Sequence, residues 1–435
     1  ELKRNQLVML CGLKTRSELN GMTARLLHYA AFSKRWHVLL ANGESLRVRD
    51  FNMRPRRENP PLSRSLVQSS PWDRPTASDH HEWIFVCGGC DHESVLRDAQ
   101  RLNSVSGLWE PLPPMSTKRF HVAIAAVGGC VYACGGYSGD SVLRSVEKFV
   151  PGQPGSWCTA PPMLRPRMSP AITVVRGCIY IAGGCNTRLE HQKNQRTVVP
   201  CASAECLDTE ECFWRMLPLM STGRTWALAA EMQQKVVVCG GMGADACCTV
   251  EQFTPESWTW KKLPPMTAST RNFPAMATVG SLLYVCGGFD SAADLALSTA
   301  ERLDVAYEGW EVLPPMRQSR IAPVAEHVGA GRICVCGGSA TLQENHLCSV
   351  ELYVPEVHGW AVLAPLHCPR NFAMAKVTSG YLYVLGGLRG NEVLASLERL
   401  DLAGDAKTSW ELLPDMARPR NTAGIVVVSG RCMQK

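Results

Sequence analysis

The sequence predicts an all-β chain. Residues 82–435 read as a closed ring of seven repeated four-stranded blades, and residues 1–53 as a small β-barrel. Three observations carry this reading. Gly-Gly pairs begin at Gly88, Gly135, Gly183, Gly240, Gly287, Gly337 and Gly386, in steps of 47, 48, 57, 47, 50 and 49 residues. A tryptophan follows each pair: Trp109, Trp157, Trp214, Trp260, Trp310, Trp360 and Trp410. The last unit is followed by Arg420 and a spare apolar run, Gly424 to Val428, whereas the first unit lacks such a run before Trp83. The two incomplete ends complement each other, so the C-terminal strand completes the first blade.

Each unit resolves into the same elements. Six residues after the tryptophan stands Met115, Met163, Met220, Met266, Met316, Leu366 or Met416, and four or five further on an arginine: Arg119, Arg167, Arg224, Arg271, Arg320, Arg370 or Arg420. An apolar run follows the arginine, and a second ends at Gly-Gly. A third carries Glu147, Glu205, Glu251, Glu301, Glu351 or Glu398, with Gln100 in the first unit, and the fourth holds the tryptophan. Pro, Gly and acidic residues punctuate the runs, which is strand-and-turn chemistry. A Gly-Gly closing a buried strand lets a neighbouring backbone approach. The tryptophan brings a large flat surface to the gap between adjacent sheets. The arginine and glutamate are expected to pair within a blade, fixing geometry more than adding stability.

This pattern resembles the Kelch repeat. The Gly-Gly after an apolar strand, the spaced Glu, the Trp-x-x-Leu-Pro-Pro-Met run and the Arg are all present, with "WEPLPPM", "WKKLPPM" and "WEVLPPM" verbatim. The resemblance covers about 350 of 435 residues. It implies a seven-bladed Kelch-type β-propeller, where many members of the family have six blades. It also implies a non-catalytic protein-interaction module, such as a substrate-recognition subunit of a ubiquitin ligase or a cytoskeletal scaffold. The family's ligase adaptors carry a BTB and helical region upstream. Here a small barrel stands in that place.

The N-terminal quarter reads differently. "QLVML", "ARLLHYA", "RWHVLL" and "SLRVRDF" are short strands, and Asn20-Gly21 and Asn42-Gly43 are turn dipeptides. Trp36, Val38 and Leu40 alternate with polar neighbours and face Leu46 and Val48. "LNG" at 19–21 and "KRWHV" at 34–38 resemble a small SH3-like β-barrel module. Residues 54–81, including "RPRRENPPLSRS", form a Pro/Arg/Ser-rich linker without periodicity.

Composition bounds the function. Apolar content of 46% and charged content of 19% suit a globular chain with a core. No run of about 18 apolar residues suggests a membrane span, and no signal-peptide pattern is present. The chain starts at Glu1, so an upstream piece such as a BTB-like domain is an open question. Of the +6 net charge, residues 1–75 hold 14 Lys/Arg against 6 Asp/Glu, and the remainder 31 against 33. The basic stretch 47–64 suits a solvated linker, with RNA, an acidic partner or an import receptor as alternatives.

Twenty cysteines occur, and Cys87, Cys134, Cys239, Cys286 and Cys336 precede Gly-Gly pairs as small buried apolar residues. This placement reads as reduced thiols in the cytoplasm or nucleus rather than a secreted disulfide framework. Cys87-Gly-Gly-Cys90 with His80, His81 and His92 has zinc-like spacing, but Cys87 only repeats the strand-end position of other blades. Cys334/Cys336 and Cys247/Cys248 lack nearby His or carboxylate ligands. Some seven-bladed relatives are copper oxidases. The 11 histidines are scattered, however, and no Ser-His-Asp order, phosphate-cradling loop or paired-carboxylate motif stands out. No catalytic residue, cofactor or metal is expected.

Binding is expected on one rim of the propeller. By the resemblance, that rim is built from the loops after Gly-Gly and the loops that begin at the Arg. The first set includes Tyr137, Phe289 and Arg389. The second includes Arg119, Phe120, Trp226, Arg271, Asn272, Asn371 and Asn421. Arginine beside an aromatic is typical hot-spot composition. The third unit carries an insertion at 186–203 with Arg188, Lys193 and Arg196 against Glu190, which reads either as the place of individual specificity or as an undecorated disordered loop.

Overall fold

The structure is a computed structural model. It describes residues 82–429 apart from 153–154, 187–198, 244–246, 268–269, 343–344 and 404–408, together with five short strands before residue 56. Seven four-stranded antiparallel sheets follow one another, as the repeat predicts. Blade 2 shows the plan. Its strands are Ala123–Val127, Cys130–Cys134, Val146–Val150 and Ser156–Ala160, each paired with the next. Blade 1 is closed by the chain terminus. Gly424–Ser429 pairs antiparallel with Glu82–Cys87, in register from Gly424 opposite Cys87 to Ser429 opposite Glu82. No helix occurs among the described residues.

The core is divided among the seams between blades. Seven apolar clusters occur, one at each seam. Between blades 2 and 3, for example, Tyr132, Cys134 and Val146 meet Ile179, Ile181 and Leu207. Between blades 7 and 1, Tyr383, Leu385 and Leu397 meet Ile84, Val86 and Leu102, so the closing seam has a core like the others. A blade is apolar on both faces because each face meets a neighbour.

The repeated polar residues tie this arrangement together. Each tryptophan donates its indole N–H to a backbone carbonyl of the preceding blade: Trp157 to Pro113 at 2.9 Å, Trp214 to Pro161 at 2.8 Å, and, across the closure, Trp109 to Pro414 at 2.8 Å. The flat ring packs while its one donor is satisfied. The Gly-Gly pair is required by the next blade. A Cβ on Gly88 would lie 2.3 Å from the Arg119 carbonyl oxygen, and its φ is +64°. The Gly89 N–H donates to that same carbonyl at 2.8 Å. Only glycine permits both the approach and the left-handed backbone.

Before residue 56 the described strands are Leu7–Leu10, Thr23–Ala30, Arg35–Leu40, Ser45–Val48 and Met53–Pro55. They form an antiparallel sheet in which the last strand returns beside the first. Val38 and Val48 are buried there, as their alternation predicts. The turn dipeptides Asn20-Gly21 and Asn42-Gly43 and most of the 54–81 linker lie outside the described residues.

Candidate partner-binding rim

The two predicted loop sets converge. Seven isolated bridges join the residue after each arginine to the residue after the same blade's Gly-Gly: Phe120 with Tyr137, Asn272 with Phe289, Asn371 with Leu388, Asn421 with Cys90, and three equivalents. Both sets therefore lie at one end of the propeller. Tyr137, Trp226 and Phe289 are half-buried there, Asn371 is buried, and Arg389 is exposed. The Arg389 guanidinium pairs with Glu392 within the blade 7 hairpin, Leu388–Arg389 with Glu392–Val393.

Arg119 and Arg271 do not belong to the exposed rim. Their side chains are 0% and 1% exposed. Arg119 donates to Glu147 at 3.0 Å and to the Gly135 and Ser145 carbonyls, and Arg271 repeats this with Glu301, Gly287 and Thr299. Held by these internal bonds, neither guanidinium can reach a partner, although Arg271 Nε is itself buried without a hydrogen bond. Six blades carry the pair. In blade 1, Gln100 replaces the acid, and Arg420 is left with the Gly88 and Asp98 carbonyls at 3.0 and 3.3 Å. Gln100 Oε1 accepts the Ala417 N–H at 3.2 Å, while its buried Nε2 has no hydrogen-bond partner.

Just inside the bridges, two residues after each arginine, the backbone turns left-handed. His121, Ser169, Trp226, Phe273, Ala322, Phe372 and Thr422 have φ between 48° and 52°. This conformation is uncommon for any residue with a Cβ and strained for a bulky one. Four head-to-tail bonds join them: the N–H of His121 to Thr422 O, of Ser169 to His121 O, of Trp226 to Ser169 O, and of Ala322 to Phe273 O, at 3.0–3.1 Å.

Four of these side chains meet over the axis. His121 packs edge-on to Trp226 with centroids 5.8 Å apart, Trp226 lies 5.7 Å from Phe273, and Phe273 lies 5.8 Å from Phe372. Blades 2 and 4 are not neighbours, and neither are blades 5 and 7, so these contacts cross the mouth of the ring. Phe120 extends the chain, 4.6 Å from His121 and 5.4 Å from Tyr137. Burial pushes the His121 imidazole down to about 4. The sequence signal was an aromatic or His two residues after the arginine, at 121, 226, 273 and 372. Hot-spot composition drew attention to the first two positions after the arginine without separating the inner from the outer.

A second feature escaped the sequence. The blade 7 hairpin is held from both sides by imidazoles. The Val393 N–H donates to His92 Nε2 of blade 1 at 2.8 Å, and the Gly390 N–H donates to His346 Nδ1 of blade 6 at 3.0 Å. His92 is thereby engaged away from Cys87, whose thiol burial pushes up to about 12. Cys90 Sγ instead donates to Asn421 Oδ1 at 2.9 Å, and His80 and His81 lie outside the described residues. Cys334 and Cys336 do share a face, with sulfurs 3.7 Å apart in a buried site. The insertion in blade 3 leaves and returns at one point, where Cys185 bridges Pro200. Arg188, Lys193 and Arg196 lie outside the described residues, as does most of the basic stretch 47–64.

Comparison with known proteins agrees with this architecture. The human "Kelch-like protein 33" is 35% identical over 71 residues, which is 16% of this chain and 13% of that protein. The solved structure of YjhT superposes with a TM-score of 0.53 at 13% identity, covering 69% of this chain and 99% of YjhT, a likeness of fold. The Kelch motif matches residues 84–116, 118–164, 166–221, 227–267, 270–317 and 371–417. The stretch between the last two matches still forms blade 6, with Val324–His327, Ile333–Cys336, Val350–Val354 and Gly359–Leu363. There Leu366 and Ala364 replace the repeat's Met and Pro, yet Arg320 pairs with Glu351 at 2.9 Å as elsewhere. With six motif matches and seven blades built on one plan, the chain belongs to the family of Kelch-repeat propeller proteins.

Proposed function

We propose that this chain is a non-catalytic protein-interaction module. It would present the rim of Gly-Gly and post-arginine loops to a polypeptide partner, as a scaffold or as the substrate-recognition subunit of a ubiquitin ligase. The observation that carries the reading is the chain of six rings from Tyr137 to Phe372, which crosses the rim half-buried with Phe372 36% exposed. Aromatic surface of this kind is enriched at interface cores. The strand-end cysteines fit the non-catalytic reading. Burial raises the thiols of Cys87, Cys134, Cys239 and Cys286 to about 12, far from a reactive thiolate. The described cysteines are all free, which suits a reducing cytoplasm or nucleus. We read the N-terminal strands as a separate SH3-like module, joined by the linker, that adds a second contact.

Affinity capture tests the reading. The intact chain is compared with a Tyr137→Ala/Phe372→Ser variant and with a chain lacking residues 187–198. Partners retained by the intact chain and lost by the double variant are expected. An identical partner set for the intact and double-variant chains refutes rim binding.

A further inference from the structure

The geometry points to an aromatic side chain bearing one hydrogen-bonding group, tyrosine or tryptophan on a turn of a partner polypeptide, as the occupant of the axial mouth. This rests on the rim reading above and specifies its chemistry. The argument begins with what the mouth cannot offer. The seven repeated arginines are 0–1% exposed and point their guanidinium groups inward, so among the described residues they offer no cation to an acidic motif. His121 adds none, because burial keeps its imidazole neutral. Much of the backbone is engaged too, since four of the seven left-handed residues donate their N–H to the preceding one. Side-chain contact remains.

The side chains divide the mouth into two arcs. Blades 4 to 7 contribute Trp226, Phe273, Ala322 and Phe372, an apolar arc. Blades 1 to 3 contribute Thr422, His121 and Ser169, a polar arc. The Ser169 hydroxyl is buried and has no hydrogen-bond partner. A buried hydroxyl of that kind is unfavourable until something meets it. The bulky residues are placed against backbone preference, for glycine would take φ near 50° without strain. Partial exposure of Phe372 shows that filling the ring's own core does not account for them all. A partner's aromatic ring laid on the apolar arc would extend the edge-to-face series. Its hydroxyl or indole N–H would fall toward the polar arc. An aspartate- or glutamate-led motif meets no counter-charge in the two described arcs, and a purely aliphatic side chain leaves Ser169 unmet.

The test is selection from a disulfide-constrained random peptide library displayed against the full chain, followed by affinity measurement on variants. Enrichment of Tyr or Trp at the turn is expected. Trp226→Ala and Phe372→Ser should each weaken binding about tenfold. Ser169→Ala should remove the preference for Tyr over Phe in a matched peptide pair. Phe372→Ser decides the matter if Trp226→Ala lowers the melting temperature, since Phe372 is the more exposed. Peptides that lose affinity when the exposed Lys118, which precedes Arg119, and Arg389 are changed together (Lys118→Glu/Arg389→Glu) yet ignore Trp226→Ala and Phe372→Ser overturn this inference and leave rim binding standing. Selection that yields no peptide sensitive to any rim substitution overturns both.

Discussion

Replacing Gln100 by Glu should stabilise the protein, although it adds a buried charge. In the other six blades a carboxylate lies 2.7–3.0 Å from the buried guanidinium. The same carboxylate accepts a backbone N–H from the turn before the arginine, as Glu147 does from Ser116 at 2.6 Å. Gln100 keeps the second bond and loses the first, leaving its own Nε2 without a hydrogen-bond partner. Arg420 is therefore a buried cation without a carboxylate, and burial lowers its pKa. A hydrogen bond between charged groups contributes roughly 1.5–3 kcal/mol, and removing an orphaned buried donor about 1–3 kcal/mol. Desolvating the new carboxylate opposes these, but its partner is already buried, so a net gain of about 2 kcal/mol is expected. The reverse change, Glu147→Gln, leaves Arg119 unpaired and should cost about 3–5 kcal/mol. Urea unfolding followed by tryptophan fluorescence measures both. The double variant Gln100→Glu/Arg420→Met supplies the control, since without the guanidinium the new carboxylate should destabilise. A Gln100→Glu chain less stable than the parent, or a Glu147→Gln chain equal to it, refutes the reasoning.

Three further outcomes follow from the same geometry. Gly88→Ala should be far more damaging than Gly128→Ala: both have positive φ, but a Cβ at 88 meets the Arg119 carbonyl at 2.3 Å and one at 128 meets nothing within 4 Å. Melting temperatures should separate the strain of about 1 kcal/mol at 128 from a loss several times larger at 88. Acid should act through His121. Its native pKa of about 4 lies below the ordinary value of about 6.5, so the unfolded chain binds the extra proton. The stability it supports is intact above pH 6.5 and declines as pH falls toward 4, by at most about 3 kcal/mol. His121→Asn should flatten that part of the pH–stability curve, and an unchanged slope would count against burial of a neutral imidazole. Finally, His92→Leu and His346→Leu should each speed hydrogen exchange at Val393 and Gly390 respectively, with no change in the blade cores. Equal protection in parent and variants would show that the clamp is not formed in solution.

Much of the fold was legible because the repeat writes the same contacts seven times. Gly-Gly, Trp and Arg each mark one obligatory interaction with an adjacent blade or strand, so their spacing reveals the architecture before any coordinate does. The closing strand was legible for a related reason: Gly424 to Val428 is an inner strand with no second strand after it. The candidate site was only half legible. Its position followed from the loops, and the spacing foretold that arginine and glutamate pair within a blade, yet Arg119 and Arg271 were also placed on the rim, because sequence does not show that such a pair, as of Arg119 with Glu147, leaves no guanidinium exposed. The aromatic chain was present as separate letters, and its meaning depends on rings from non-adjacent blades meeting over an axis. The imidazole clamp joins residues 301 apart in the chain, His92 and Val393, through a backbone donor that no side-chain pattern records.

Blade 1 concentrates the departures from the common plan. It is the one blade assembled from both ends of the propeller, and the one without the buried arginine–glutamate pair. What it has instead lies nearer the solvent. Arg418 reaches Asp91 at 2.5 Å and Asp98 at 3.3 Å, with its own side chain 45% exposed. An exposed pair of this kind is weak and screened by salt, whereas the buried pairs of the other blades are not. The apolar seams on either side are complete, so the difference lies in the inner strand's polar anchoring. Opening should therefore begin with release of Gly424–Ser429 from Glu82–Cys87, and should become easier as ionic strength rises. Native-state hydrogen exchange at low and high salt reads this directly. The amides of Val426 and Val428 should exchange faster than the equivalent inner-strand amides of blade 2, with the gap widening in salt. Gln100→Glu should narrow that gap, because it moves the anchoring charge pair into the interior. Uniform exchange across all seven inner strands would mean that the ring opens as one unit, and that the polar exception at Gln100 has no mechanical consequence.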